Sequence, residues 1–226
     1  MKVELLDFMG DDLAVVNAAR VSFDKESTWK WENDWEHDCE LHEKDQKLID
    51  YLARHNHWTP FAHSAIKFRI TMPIYVARQL AKHQVGGVVN EVSRRYVSDP
   101  PVLAIATEWR KSAENVKQGS SDELVTMDSA MQGQIDKTME ACLALYDDLL
   151  LKGVCPEQAR MVLPLCSETT CIWTGSLVFF ARVCKLRFDS HAQKETRDVA
   201  QEIGKNMAEL FPVSWAALIG NEYEKI

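Results

Sequence analysis

Along this chain the apolar and polar positions change period several times, and each change marks an element. In "SAIKFRITM", Ile66, Phe68, Ile70 and Met72 fall on one side and Lys67, Arg69 and Thr71 on the other, the period of a strand with one buried face. Pro73 opens "PIYVARQLAKH", which runs at helical spacing until Gly86-Gly87. Proline suits a first helical turn, and glycine turns a chain sharply without steric cost. "EKDQKLIDYLARH" places Leu48, Tyr51, Leu52 and His55 at helical intervals. "MDSAMQGQIDKTMEACLALYDDLLLKG" carries Met131, Ile135, Met139, Cys142, Leu145 and Leu149 on one stripe of a long helix. Shorter patterns predict helices in "DDLAVVNAAR" and "PEQARMVLP", a β-rich "ETTCIWTG", and a helix "LVFFARVCKLR" capped by Ser176. Ser190-His191-Ala192-Gln193 has the spacing of a capping box, ahead of a helix carrying Val199, Ile203, Met207 and Leu210.

Two stretches keep no period. Residues 24–40 are acidic and contain Trp29, Trp31 and Trp35, a surface loop or partner-binding segment whose tryptophans are not expected to stay bare. Residues 98–125, with Pro100-Pro101 and "KQGSSDE", read as a long exposed excursion, a lid or substrate loop. Helices with a few strands make the class α+β, and 226 residues fit a single domain, 1–226.

Composition narrows the partners. A hydrophobic content of 46% is enough for a globular core, and the longest apolar runs fall far short of the ~20 residues of a membrane helix. The start "MKVELLDFMGDD" has no signal-peptide pattern. Cys39, Cys142, Cys155, Cys166, Cys171 and Cys184 include no C-x-x-C pair, so a reducing, cytoplasmic setting is expected. A net charge of −8 argues against non-specific nucleic-acid binding, and cationic clusters in such a chain are expected to serve small anions.

One such cluster is "ARQLAKHQVGGVVNEVSRRYV", with Arg78, Lys82, His83, Arg94 and Arg95 around two glycines and Glu91 as its only carboxylate. Arginine forks grip phosphate or carboxylate, glutamine and asparagine read amide edges, and glycines let backbone approach a ligand. The array suits a nucleotide monophosphate with a planar base. Neither a G-K-[ST] phosphate loop nor a G-x-G-x-x-G turn is present. A solvated basic helix face followed by an ordinary turn is the simpler alternative.

The same stretch resembles the signature of the flavin-dependent thymidylate synthases, in which an Arg-His-Arg triplet precedes a serine by seven residues. The resemblance extends to "AARVS" and "HWTPFAH" upstream and to "ARMVLPL" and "LRFDSHAQ" downstream, in family order. Here the triplet reads Lys82-His83-Gln84, and eight residues, 85–92, separate it from Ser93. Lysine keeps charge without the bidentate fork, and Gln84 removes a charge.

The resemblance implies a fold of the thymidylate synthase-complementing type, helix-rich with a small antiparallel or mixed sheet, in a homotetramer. It implies FAD as cofactor, NADPH as reductant, methylenetetrahydrofolate as carbon donor and dUMP as substrate. Gln79, Glu91, Ser93, Arg94, Arg95, Arg160 and Arg187 would contact dUMP. Ser22, His57, Thr59, Lys82, His83, Gln84, Glu91, Ser176 and Arg182 would face flavin, Ser176 and Arg182 by position alone. Arg187 matches the residue that favours ionisation of the uracil ring, and so would be catalytic. Four other readings are weighed beside it. His55, His57 and His63 have no cysteine or carboxylate at ligand spacing to complete a zinc site, so no metal is expected. Cys166 in "LPLC" is read as a small buried residue in preference to a nucleophile. Beyond methylation, the pattern is compatible with a pyrimidine hydroxymethylase or with a nucleotide-binding module that has lost its chemistry.

Overall fold

The computed structural model describes residues 1–31, 39–114 and 120–220. Strand β1 (Lys2–Met9) leads into helix α1 (Asp12–Arg20), whose N-terminus is capped by the Asp11 carboxylate. A short ladder joins β2 (Lys30–Trp31) to β3 (Cys39–Glu40) before α2 (Glu43–Arg54). Next come β4 (Ala65–Pro73), α3 (Ile74–Leu80), β5 (Gly87–Glu91), β6 (Trp109–Ser112) and β7 (Ser120–Val125). The long helix α4 (Ser129–Leu151) and the single turn α5 (Pro156–Ala159) precede β8 (Glu168–Gly175), and α6 (Leu177–Arg187), α7 (Lys194–Leu210) and α8 (Pro212–Ile219) complete the order.

The main sheet has the order β1-β4-β8-β5, with every neighbour antiparallel. The alternation predicted for β4 holds: Ile66, Phe68, Ile70 and Met72 are buried. On β8, Thr169, Cys171, Trp173 and Gly175 face the same core. Helix α6 lies across that face and is buried along most of its length. Phe68, Trp173, Phe179 and Phe180 meet there edge to face, with ring centroids 5.1–5.5 Å apart, a geometry that adds to plain burial. The two glycines facing Phe179 are required by this packing. A Cβ on Gly87 would lie 2.4 Å from the Phe179 ring and one on Gly175 2.1 Å. Gly86, at φ +93°, makes the turn that ends the α3 segment, as its sequence position predicts.

Several expectations change on contact with the fold. Strands β1 and β5 and helix α8 carry no clean alternation and were not expected. They are fixed instead by pairing with β4 and β8 and by α8 packing on α2. The excursion 98–125 is in part a hairpin, β6 with β7, and residues 115–119, which include the start of "KQGSSDE", lie outside the described residues. The capping box at Ser190 does not form. Helix α7 starts after Gln193, with no side-chain cap, and the Gln193 amide that the box would use is held instead by Gln79 and Glu195. Ser176 does cap α6, accepting from the Phe179 amide at 3.3 Å. The stripe on α4 is helical but not covered. Met131 and Leu145 are each 48% exposed, and Tyr146 is the helix's one buried residue. In the acidic segment Trp29 packs against the core and Trp31 is exposed, while Trp35 lies outside the described residues.

Candidate functional site

The C-terminal ends of α3 and α6 converge, and there the chain assembles a cleft of about 660 Å³ lined by Gln79, Arg110, Lys185, Arg187, Asp189 and Gln193 among others. Arg187, the last residue of α6, is half-buried. It donates from Nε to His83 Nε2 at 3.0 Å and from a terminal nitrogen to the Gln79 carbonyl at 2.9 Å. These two bonds fix the plane of the guanidinium and leave its remaining donors for a ligand. Partial burial pushes Arg187 down from its ordinary value. Burial and the neighbouring Arg187 charge push His83 down too. A neutral His83 is what the geometry requires, since its Nε2 must accept.

The Gln79 side chain continues this network by donating to Gln193 Oε1. The Gln193 amide nitrogen donates to Glu195 at 2.8 Å, and Arg110 bonds both carboxylate oxygens of Glu195 at 2.8 and 3.0 Å. Burial pushes Glu195 up, but the bonds from Arg110, from its own backbone and from Gln193 outweigh it and hold the carboxyl below its ordinary value. Gln79 was expected from the sequence; Arg110, Glu195 and Lys185 were not, and Gln193 entered only as the end of a motif. Arg110 sits in the aperiodic excursion, where spacing carries no information about what it meets.

On the other side of α3 a smaller cavity, about 280 Å³, lies between Ala77, Leu80 and the sheet residues Met72, Val89 and Trp173, with His83, Gln84, Gly87 and Glu91 around it. His83 lines this cavity and bonds into the cleft, so it links the two. Glu91 accepts from the Thr169 hydroxyl at 2.7 Å. A third hollow runs beside Trp58 and α8, lined also by Arg54, Arg182 and Lys185. The Arg182 guanidinium stands 5.8 Å from the Trp58 ring centroid. Lys185 borders both this hollow and the Arg187 cleft.

The other candidates keep local company. Arg95 bonds Ser93 Oγ at 3.1 Å and stacks 4.9 Å from the centroid of Tyr96, and Arg94 donates to the Asp99 carbonyl. Arg160 is exposed and donates to the Glu157 carbonyl. Ser22, Thr59 and Lys82 are exposed. The His57 ring lies edge-on to Tyr51, 5.8 Å away, with His55 on the same tyrosine at 4.3 Å. Among the described residues no group of three or more His, Cys, Asp or Glu side chains converges on a metal-sized site. Cys166 contacts the Met139 sulfur at 3.8 Å, and burial pushes its thiol up.

Residues 4–213 match the family described as thymidylate synthase complementing protein. The chain belongs to this family. It is 38% identical over 215 residues to a flavin-dependent thymidylate synthase of Thermus thermophilus, covering 95% of this chain and 74% of that protein. A flavin-dependent thymidylate synthase of Kosmotoga olearia is 35% identical over 225 residues, covering 98% and 91%. Among solved structures, a UMP/dUMP methylase PolB from Streptomyces cacaoi bound with 5-Br dUMP superposes with a TM-score of 0.77 at 28% identity, covering 96% of this chain and 93% of that one. The α+β expectation and the family resemblance are thereby both borne out.

Proposed function

We propose that this family member is an FAD-dependent thymidylate synthase. It methylates dUMP to dTMP with methylenetetrahydrofolate as carbon donor and NADPH as reductant, and without a covalent cysteine. The observation that carries the reading is the Arg187 guanidinium, held at two of its nitrogens by Gln79 and His83 beside a cleft large enough for a nucleotide. Carbon 5 of uracil is a poor nucleophile while the ring is neutral. A fixed cation against the N3–O2 edge stabilises the ionised ring and raises electron density at that carbon. A fixed arginine does this at little reorganisation cost, because the protein has already oriented it.

The residues present fit a flavin. The slot beside His83 has apolar walls for part of a planar ring. Arg182 and Lys185, which line the hollow beside Trp58, and the exposed Lys82 supply positive charge for a pyrophosphate, and Trp58 offers an exposed aromatic face. When bound, FAD supplies hydride transfer from NADPH to the one-carbon unit. In this reading His57, Thr59, Lys82, His83, Gln84, Glu91, Ser22 and Arg182 border the flavin, while Ser176 contributes through its cap on α6. Gln79, Ser93, Arg94, Arg95 and Arg160 meet dUMP with Arg187. The whole chain acts as one domain, supported by a core cluster that draws residues from Val15 to Ile219.

A homotetramer is the assembly we propose. The half-exposed stripe of α4 and the exposed Val88, Met161 and Leu165 are apolar surfaces of the kind that subunit contacts cover. No helix among the described residues is long and apolar enough to cross a membrane, and all six cysteines are free; we assign the protein to the cytoplasm.

The decisive experiment incubates the protein with dUMP, FAD, NADPH and methylenetetrahydrofolate and identifies the product by mass, with UMP as a parallel substrate. A product in which the C5 hydrogen is replaced by methyl, a net gain of CH2, is expected, and apo-protein titrated with FAD should perturb the visible flavin spectrum. A hydroxymethylated product would revise the reaction, and indifference to FAD would end the reading.

A further inference from the structure

We propose that Glu195 is a positioning residue for the nucleotide site, and that it dictates which end of the Gln79 amide faces the ligand. The inference rests on reading the Arg187 cleft as the dUMP site. An amide side chain has a donor end and an acceptor end, and neither Gln79 nor Gln193 has an intrinsic preference for facing one way. An ionised carboxylate has no such freedom: it only accepts. With Arg110 on its outer side, Glu195 takes a hydrogen bond from the Gln193 nitrogen at 2.8 Å. The Gln193 oxygen is then turned toward Gln79 and must receive the Gln79 nitrogen, as it does. With Nε2 turned to Gln193, the end of the Gln79 amide facing away from Gln193 is its side-chain oxygen, Oε1. The charge on Glu195 is thus converted, through two amides, into an acceptor at the Gln79 position of the cleft.

An acceptor selects a donor. dUMP carries two, the ribose 3′-hydroxyl and, while the ring is neutral in the ground state, N3–H, and either meets the requirement for binding. The same logic says what Glu195→Gln does. Arg110 still demands an acceptor, so the single oxygen of the new amide turns to it and its nitrogen faces Gln193. Gln193 flips, Gln79 flips after it, and an NH2 group now occupies the place of the acceptor. A donor facing a donor is left unpaired, which is costly in a partly buried site.

The test measures dUMP, dCMP and 2′,3′-dideoxyuridine monophosphate binding by calorimetry on FAD-loaded protein, with thermal unfolding alongside. dCMP lacks N3–H, and the dideoxy analogue lacks the 3′-hydroxyl. Wild type should disfavour the analogue that lacks the donor Gln79 reads. Glu195→Gln should weaken dUMP about tenfold and abolish that preference. Adding Gln79→Glu should restore most of the affinity, because a carboxylate at position 79 accepts from the flipped Gln193 and again offers an acceptor to the ligand. Gln193→Leu, which leaves the Arg110–Glu195 pair intact, should weaken dUMP to a similar degree, and it carries the test should Glu195→Gln fail to fold. If Glu195 serves only the Arg110 pair or the first turn of α7, its loss lowers the melting temperature but leaves dUMP affinity and preference unchanged, and the inference falls. Wild type that does not bind dUMP sinks the substrate reading itself, a separate outcome.

Discussion

Two cationic regions of the molecule behave differently. Around Arg187 one hydrogen-bonded network joins distant parts of the chain: His83 and Gln79 from the α3 segment, Gln193 and Glu195 from the start of α7, and Arg110 from a hairpin. Around Ser93, Arg94 and Arg95, and again at Arg160, the bonds reach no further than a few residues along the chain. The first region is organised by the fold itself. The second is a set of exposed or half-buried arginines whose geometry the single chain does not fix. Preorganised charge is suited to a transition state, whereas loosely held charge is suited to attracting and holding an anion.

The sharpest way to break this contrast is to remove one arginine from each region. Arg187→Ala should lower saturated dUMP turnover by roughly 10²-fold or more, as the loss of an oxyanion-type donor does. Oxidation of NADPH by the bound flavin should survive, because that half-reaction needs no activated uracil. Arg187→Lys should recover only part of the loss, having the charge without the planar fork. Arg95→Ala should instead raise the apparent dUMP constant about tenfold with turnover at saturation nearly intact, the signature of lost uniform binding. Steady-state methylation beside anaerobic flavin reduction reads both variants. Equal behaviour of the two would erase the distinction.

The contrast also explains what was legible beforehand. Strand β4, helices α1, α2 and α4 and the Ser176 cap follow from local period and capping chemistry, so they were readable from residues alone. β5 was not: "GVVNE" has no clean alternation, and it becomes a strand because Gly87 lets it approach Phe179 while it pairs with β8. The glycines looked like a ligand cradle. Gly86 proves to be a turn and Gly87 a packing contact. In the site, Arg187 and Gln79 were reached through motif order, but the chain from Gln79 to Arg110 joins residues 79, 193, 195 and 110. No spacing rule brings those together.

A smaller effect sharpens the link between the two cavities. His83 lies below its ordinary value of 6.5, so in the folded protein it stays neutral to lower pH than in the unfolded chain. The unfolded state therefore binds more protons just below pH 6.5. Stability is intact above that value and is lost as pH falls through the folded pKa. Protonated His83 cannot accept from Arg187 and places a second cation beside it. Cys171, across the same cavity, is pushed up to about 11 by burial and by Glu91, and holds its proton throughout. Turnover and melting temperature should both decline together on the acid side, by a few-fold in rate. His83→Gln should flatten that acid limb, since glutamine can accept from Arg187 and does not titrate. An unchanged acid limb in that variant would uncouple His83 from Arg187.

The smallest expected effect belongs to Cys166. A thiol nucleophile needs a stabilised thiolate and a base or cation at hand. Cys166 instead borders a cavity of about 480 Å³ with Ile135, Met139 and Trp109, its sulfur contacts the Met139 sulfur, and burial pushes its thiol up, away from the thiolate. The Arg110–Glu195 pair borders the same cavity, but Arg110 is already committed to the carboxylate. The Cys166 thiol is therefore poorly placed to attack a pyrimidine held against Arg187, and activation of the ring by ionisation makes covalent attack unnecessary. Cys166→Ala should keep turnover within about twofold and cost a modest amount of stability from the lost Met139 contact. The measurement is saturated dUMP methylation in folded, flavin-loaded protein, paired with denaturant unfolding. Turnover abolished at unchanged flavin content would make Cys166 the nucleophile and would reduce Arg187 from activating the ring to holding it.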